Sequence, residues 1–301
     1  MTKPLQIGMI GLDTSHAVAF TKLLNDPETP YAVPGGRVVA AFPGGSPDFE
    51  LSWSRLGRFT SALRDEHGVD MLDSVEAVAE RVDAVLLTSV DGRVHLEQFK
   101  RLAPFKKPVF IDKPFAVTSA DARAIADLAR EYGVPLMSSS SLRYAEDFVQ
   151  ALADDSFGEL LGADVYGFAE LQPTQPGLFW YGIHSAEMLY AALGRGCVRV
   201  HAFSTADHEL VSGVWSDGRV GTLRGTRSGA RTNGALLHRA NGAAFADCGK
   251  HPKPAYAGLL ERVMTMFRTG TPPIDIEETV EIVRFLEAAN ESRRTGQPVD
   301  L

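Results

Sequence analysis

Short apolar runs alternate with longer stretches of helical period through the first half of the chain. The runs at 6–10, 37–42, 71–72, 84–88, 108–111 and 135–138 are too short for helices and end in Gly, Pro or polar residues, which predicts buried strands. Between them, apolar residues recur at helical spacing near 16–25, 49–66, 75–81, 94–102 and 119–132. Strand and helix in regular alternation is the signature of a parallel sheet. The helix at 119–132 carries its own punctuation, with Ser119 able to cap it and Gly133 to end it. Residues 25–36 are rich in Pro and Gly and read as a surface loop.

After Arg143-Tyr144 the pattern changes. A helix near 146–153, a strand over 162–171 and a helix over 184–193 stopped by Gly194 come first. From Val198 to Cys248 the chain reads as antiparallel strands, with turns at Ser216-Asp217-Gly218, Thr232-Asn233-Gly234 and Asn241-Gly242. Two long helices, near 254–268 and 276–295, close it. The expected class is α/β: a doubly wound parallel sheet over 1–143, then an α+β domain with an open antiparallel sheet over 144–301. A length of 301 residues agrees with two domains.

Composition narrows the function classes. Net charge is −8, which offers no basic surface to nucleic acid. The two cysteines, Cys197 and Cys248, form neither a metal spacing nor a disulfide framework. No apolar run is long enough to span a bilayer, and Met1-Thr2-Lys3-Pro4 runs straight into a strand, so no signal peptide and a cytoplasmic location are expected.

The densest chemistry lies at Val109-Phe110-Ile111-Asp112-Lys113-Pro114. Pro114 cannot donate to a sheet ladder, so the strand should end here, with Lys113 at its carboxyl end. Open α/β sheets keep their ligands at that edge. A lysine there carries a hydroxyl proton or holds an anion, or it simply snorkels to solvent. Farther on, Gly182-Ile183-His184 leads a histidine onto an apolar-faced helix.

The opening strand-turn-helix, the acid-Lys-Pro at 112–114, the Gly-Ile-His at 182–184 and the closing segments Leu286–Ser292 and Gly296–Leu301 together resemble the glucose-fructose oxidoreductase / inositol dehydrogenase family, Gfo/Idh/MocA. The resemblance implies a Rossmann-type first domain and an NAD(P)-dependent oxidoreductase acting on a sugar, cyclitol or related polyhydroxylated compound. It implies that Lys113 and His184 converge on the substrate, with Lys113 holding the reacting oxygen and His184 as acid/base. The family's aspartate four residues before that histidine is replaced by Trp180, which is expected to form an apolar stacking wall. Glu187, one helical turn past His184, is expected to orient it or to bind a substrate hydroxyl. Tyr181 is a second proton carrier or a packing residue. Arg143 binds an anionic or polyhydroxylated substrate or pins the domains. His184 and Glu187 have the spacing of a metal half-site, but no third ligand is evident and no metal is expected. The family's use of the open sheet face implies a homodimer or homotetramer.

The cofactor turn departs from the dinucleotide pattern. In Gly11-Leu12-Asp13-Thr14-Ser15-His16 only Gly11 matches the usual three glycines; Asp13 and His16 stand at the second and third. As a helix N-cap, Asp13 would take the amides that a pyrophosphate needs. Thr14 and Ser15 offer hydroxyls, and His16 a charge when protonated. The second strand ends in Pro43-Gly44-Gly45-Ser46 without the acid that holds an adenosine ribose, so NADP is open beside NAD, with Ser46 and Arg55 or Arg58 near a 2′-phosphate. The stretch 88–95 is similar to the family's loop over the nicotinamide ribose, which assigns Thr88, Ser89 and His95, together with Asp112, to the cofactor. His95 reads equally as packing. Two rivals remain at this point: a redox-inactive binding or regulatory protein, and a non-redox enzyme that retains the nicotinamide.

Overall fold

The six apolar runs of the N-terminal half pair side by side. In the computed structural model, which describes residues 3–301, they are β1 (Leu5–Ile10), β2 (Gly36–Phe42), β3 (Asp70–Met71), β4 (Ala84–Leu87), β5 (Val109–Ile111) and β6 (Leu136–Ser138). The sheet order is β3-β2-β1-β4-β5-β6, with every pair parallel. Helices α1 (Ser15–Asn25), α2 (Glu50–His67), α3 (Val75–Arg81), α4 (His95–Leu102) and α5 (Ser119–Tyr132) alternate with the strands. Every residue of β4 is buried, so both sheet faces are covered; this is why these strands read as runs rather than alternations. The order reverses between β1 and β4. The turn after β1 and the loop after β4 therefore meet at the switch point where such sheets bind ligands.

The chain divides into two compact units. The first holds the residues up to Ala116, Ala120–Ser139 and Leu259–Glu277; the second holds Val117–Ser119, Ser140–Gly258 and Glu278–Leu301. The expected boundary was a single cut at 143/144. The physical reason for the discontinuity is packing at the start of β2. Gly36 leaves room for Met264, whose Cε would lie 2.8 Å from a Cβ there, and Arg268 donates to Pro34 O at 2.9 Å.

In the second unit, α6 (Glu146–Ala153), β7 (Leu160–Phe168) and α7 (Gly182–Leu193) precede β8 (Cys197–Ser204), β9 (His208–Trp215), β10 (Val220–Thr226), β11 (Gly234–Arg239) and β12 (Gly242–Asp247). Helices α8 (Ala255–Thr269) and α9 (Ile276–Thr295) and the short β13 (Val299–Asp300) follow. The sheet order is β12-β11-β7-β10-β9-β8-β13. It is mixed rather than purely antiparallel, because β7 enters its middle parallel to β10. Helix α7 packs close to one face: a Cβ on Gly221 would lie 2.6 Å from Leu193 and 2.7 Å from Leu189. The opposite face leaves Phe203, Leu210, Val214, Val220, Leu236 and Phe245 exposed.

Candidate functional site

In the first unit the turn after β1 is built around Gly11. Its φ of 85° is left-handed, and a Cβ there would collide with the backbone and hydroxyl of Ser89. The turn is pinned from below, since Gly11 N donates to Phe42 O at 3.0 Å and Leu12 N to Pro43 O at 2.8 Å. Thr88 belongs to the same clamp: its hydroxyl donates to Gly11 O at 2.7 Å, which makes it a brace of the turn.

Asp13 is not the helix cap. Thr14 caps α1, its Oγ1 accepting from His16 N at 3.3 Å, and no acid lies in the first turn. The fully buried Asp13 carboxylate instead accepts from Ser52 Oγ at 2.5 Å and from Val90 N at 3.0 Å. Arg55 donates to Asp13 O at 2.9 Å. Asp13 thus fastens the β1 turn to α2 and to the loop after β4, and its charge is turned away from the helix amides. Burial pushes its carboxyl above the ordinary value; the bonds from Ser52 and Val90 oppose this only in part.

His16 reaches across to the acid at the end of β5. Its Nδ1 lies 2.5 Å from Asp112 Oδ2, and the ring stacks on Phe20. The other Asp112 oxygen accepts from Lys113 N at 2.8 Å. Burial raises the Asp112 carboxyl, but the charges and hydrogen bonds of His16 and Lys113 outweigh it and hold it below the usual range. His95 is wholly buried, with Nδ1 3.1 Å from Phe115 O and Nε2 2.9 Å from Ser89 O. Both ring nitrogens face backbone carbonyls, to one of which a neutral imidazole donates its N–H. The ring ties the β4 loop to the segment after β5.

Lys113 stands just past β5, half-buried, before a cis Lys113–Pro114 bond. Burial lowers its ammonium below the ordinary lysine value; Asp112 opposes this and Arg55 adds to it. Ser15 is exposed at the start of α1. Ser46 and Ser89 are buried, and their hydroxyl oxygens have no hydrogen-bond partner among the described residues. Two orphaned hydroxyls, a helix start without an acid and a glycine that admits no Cβ fit a dinucleotide at this edge. Arg55 is largely committed, through Asp13 O and through Leu51 O at 2.5 Å, and Arg58 lies over the Phe59 ring.

In the second unit His184 lies in the first turn of α7 and lines a cavity of about 400 Å³ with Tyr181, Phe168, Asn233, Arg231 and Tyr256. Its Nδ1 meets Ser140 Oγ at 2.7 Å. Ser140 also accepts from Leu142 N at 3.2 Å, which leaves its own proton for the imidazole. Ser140, in the run Ser138–Ser141, was missed in the sequence. The signal was available: a Ser just before a short turn, accepting from the amide two residues on, is a capping pattern. Glu187 does not reach the cavity lining. Its Oε2 accepts from Arg143 Nε at 2.9 Å, and Glu278 closes on the same guanidinium at 2.6 Å as an ion pair not aligned for a hydrogen bond. Burial works against the Arg143 charge, but the two carboxylates raise it. Arg143 and Glu187 are thus a buried ion cluster of this unit. Trp180 is buried and packs edge-on against Tyr181, 5.8 Å between centroids; Tyr181 forms the wall and Trp180 backs it.

Residues 6–140 match the Gfo/Idh/MocA family model, described as an oxidoreductase family with an NAD-binding Rossmann fold. No curated protein matches the chain by sequence. Among solved structures, myo-inositol 2-dehydrogenase from Lactobacillus plantarum superposes with a TM-score of 0.79 at 16% identity, covering 99% of this chain and 100% of that one. The apo scyllo-inositol dehydrogenase from Lactobacillus casei gives 0.80 at 14% identity, covering 100% and 99%. An oxidoreductase from Agrobacterium radiobacter in complex with NAD+, L-tartaric acid and magnesium gives 0.76 at 16%, covering 99% and 98%. At these identities the likeness is one of fold.

Proposed function

We propose that the protein, whose residues 6–140 match the model of the Gfo/Idh/MocA oxidoreductases with their NAD-binding Rossmann fold, transfers a hydride between NAD or NADP and a carbinol carbon of a sugar, cyclitol or related polyhydroxylated compound. Lys113 carries this reading. It stands at the ligand edge of the sheet, half-buried, with an ammonium that burial makes readier to give up its proton. The bound nicotinamide supplies the hydride acceptor or donor. Gly11, Ser46, Ser89 and the start of α1 hold the dinucleotide, while Asp13, Thr88 and His95 keep that edge rigid. Lys113 donates to the reacting oxygen and stabilises the charge that develops on it. His184 exchanges the proton at Nε2. Ser140 suits either direction, because a hydroxyl donates to a bare Nδ1 and accepts from a protonated one.

The binding-protein rival rests on Asp13, on the missing acid after the second strand and on Trp180. With the Asp13 carboxylate bonded to Ser52 and Val90, the first of these no longer favours it. We further propose a cytoplasmic homodimer or homotetramer formed through the exposed face of the seven-stranded sheet. Phe203 and Phe245 there are 58% and 60% exposed. The deciding experiment is a panel of polyols and keto-sugars with both nicotinamides, beside titration of NADH and NADPH by nicotinamide fluorescence. Tight binding with no turnover on any compound would overturn the enzymatic reading.

A further inference from the structure

The cavity that holds His184 has an uneven polar inventory. Its walls are aromatic: Phe168, Tyr181 and Tyr256. Its polar contributors include His184, Asn233 and Arg231, and no acid lines it. The Arg231 guanidinium lies over the Phe168 ring, 4.0 Å from the centroid. A guanidinium packed on a ring face keeps its N–H donors for other partners, and these can take a carboxylate in bidentate fashion. The Arg231 contact with Glu170 is 3.5 Å long, between side chains 65% and 49% exposed, so solvent screens it and a ligand can displace it. The half-buried Asn233 amide makes no hydrogen bond to a described residue and offers two donors and an acceptor beside that edge.

From this we infer that the substrate bears a carboxylate: it is a polyhydroxylated acid of the uronate or aldonate type, with Arg231 gripping the carboxylate and Asn233 a hydroxyl. The aromatic walls pack on its C–H faces. A neutral sugar or cyclitol would satisfy the walls and Asn233 but leave the guanidinium with only its long, exposed contact to Glu170. The inference rests on the proposed role of His184 and its cavity in holding the substrate. It names a class that the sequence pattern left open.

Matched pairs test it: D-glucuronate and D-galacturonate against glucose and galactose, and D-gluconate against D-glucitol. Calorimetry on the full-length protein measures binding, and kcat/KM is measured with NAD+ and NADP+. At least one acid should bind about tenfold or more tighter than its neutral partner, as expected for a charge-assisted bidentate contact. Arg231→Gln should weaken the acid more than the neutral partner and so erase that advantage. Glu170→Gln should tighten the acid, because it removes the competing carboxylate, an effect that a purely structural Arg231 would not produce. Absence of binding by every acid, equal or better binding of the neutral partners, or an acid preference that survives Arg231→Gln would each overturn the inference. An acid that binds but is never oxidised or reduced would leave the inference standing and strike the oxidoreductase reading. Neutral polyols turned over without any acid preference would do the reverse.

Discussion

With its carboxylate shared between Ser52 and Val90, Asp13 acts as a cross-brace, and glycine in its place would strand two buried donors. Asp13→Gly should therefore destabilise the protein by about 1–3 kcal/mol and weaken NAD binding, not strengthen it. Urea melts and calorimetric titration check both. The same burial makes Asp13 a pH-dependent element. Its folded carboxyl titrates above the ordinary 3.8, so the folded protein holds a proton that the unfolded chain has already released. That contribution is present below 3.8 and fades as pH rises through the folded value. Measured by denaturation, the stability of the wild type relative to Asp13→Asn should thus decline from acid to neutral pH. A flat difference would contradict the raised carboxyl. At Lys113 the shift runs the other way. Turnover should fall on an alkaline limb lying below the ordinary 10.5, and Lys113→Met should lose about 10²–10⁴-fold in turnover while keeping cofactor affinity. Asp13 was visible in the sequence as an anomaly, but its partner Ser52 lies 39 residues away on another helix, and no local pattern points to it.

At the scale of elements, the sequence was most legible where one period ran long. The parallel strands, α5 with its Gly133 stop and the two closing helices stand close to where periodicity puts them. It was least legible where an element is too short to have a period or pairs at long range. The 3-10 turn Ser141–Tyr144 is of the first kind, and it is this turn that seats Ser140 beneath His184. The parallel pairing of β7 with β10 is of the second kind, because the alternation of one strand says nothing about the direction of its neighbour. Ser140 gives an element-scale prediction. Ser140→Ala should lower kcat/KM about tenfold and shift its histidine limb, with nicotinamide affinity unchanged; Ser140→Thr, which restores the hydroxyl, should recover both. A pH profile for Ser140→Ala that overlays the wild type would reduce Ser140 to a cap for Leu142.

At the scale of the molecule, the proposed assembly face can be broken one residue at a time. Val220, half exposed on β10, and Phe245 on β12 leave the core intact when changed. Val220→Glu and Phe245→Glu should shift the mass by light scattering toward the monomer; unchanged mass in both would place the interface elsewhere. The discontinuity of the first unit has a consequence of a different kind. Met264 packs at Gly36 beside Ile7, and Arg268 donates to Pro34 O, so the sheet begun by the first strand is finished by residues that leave the ribosome only after Ser140–Gly258 of the second unit. The nascent Rossmann sheet must wait, partly uncovered, while that stretch of the second unit emerges. A fragment cut near residue 140 would keep every residue proposed above to hold the cofactor and still lack this packing, so it makes a poor reporter of nucleotide binding.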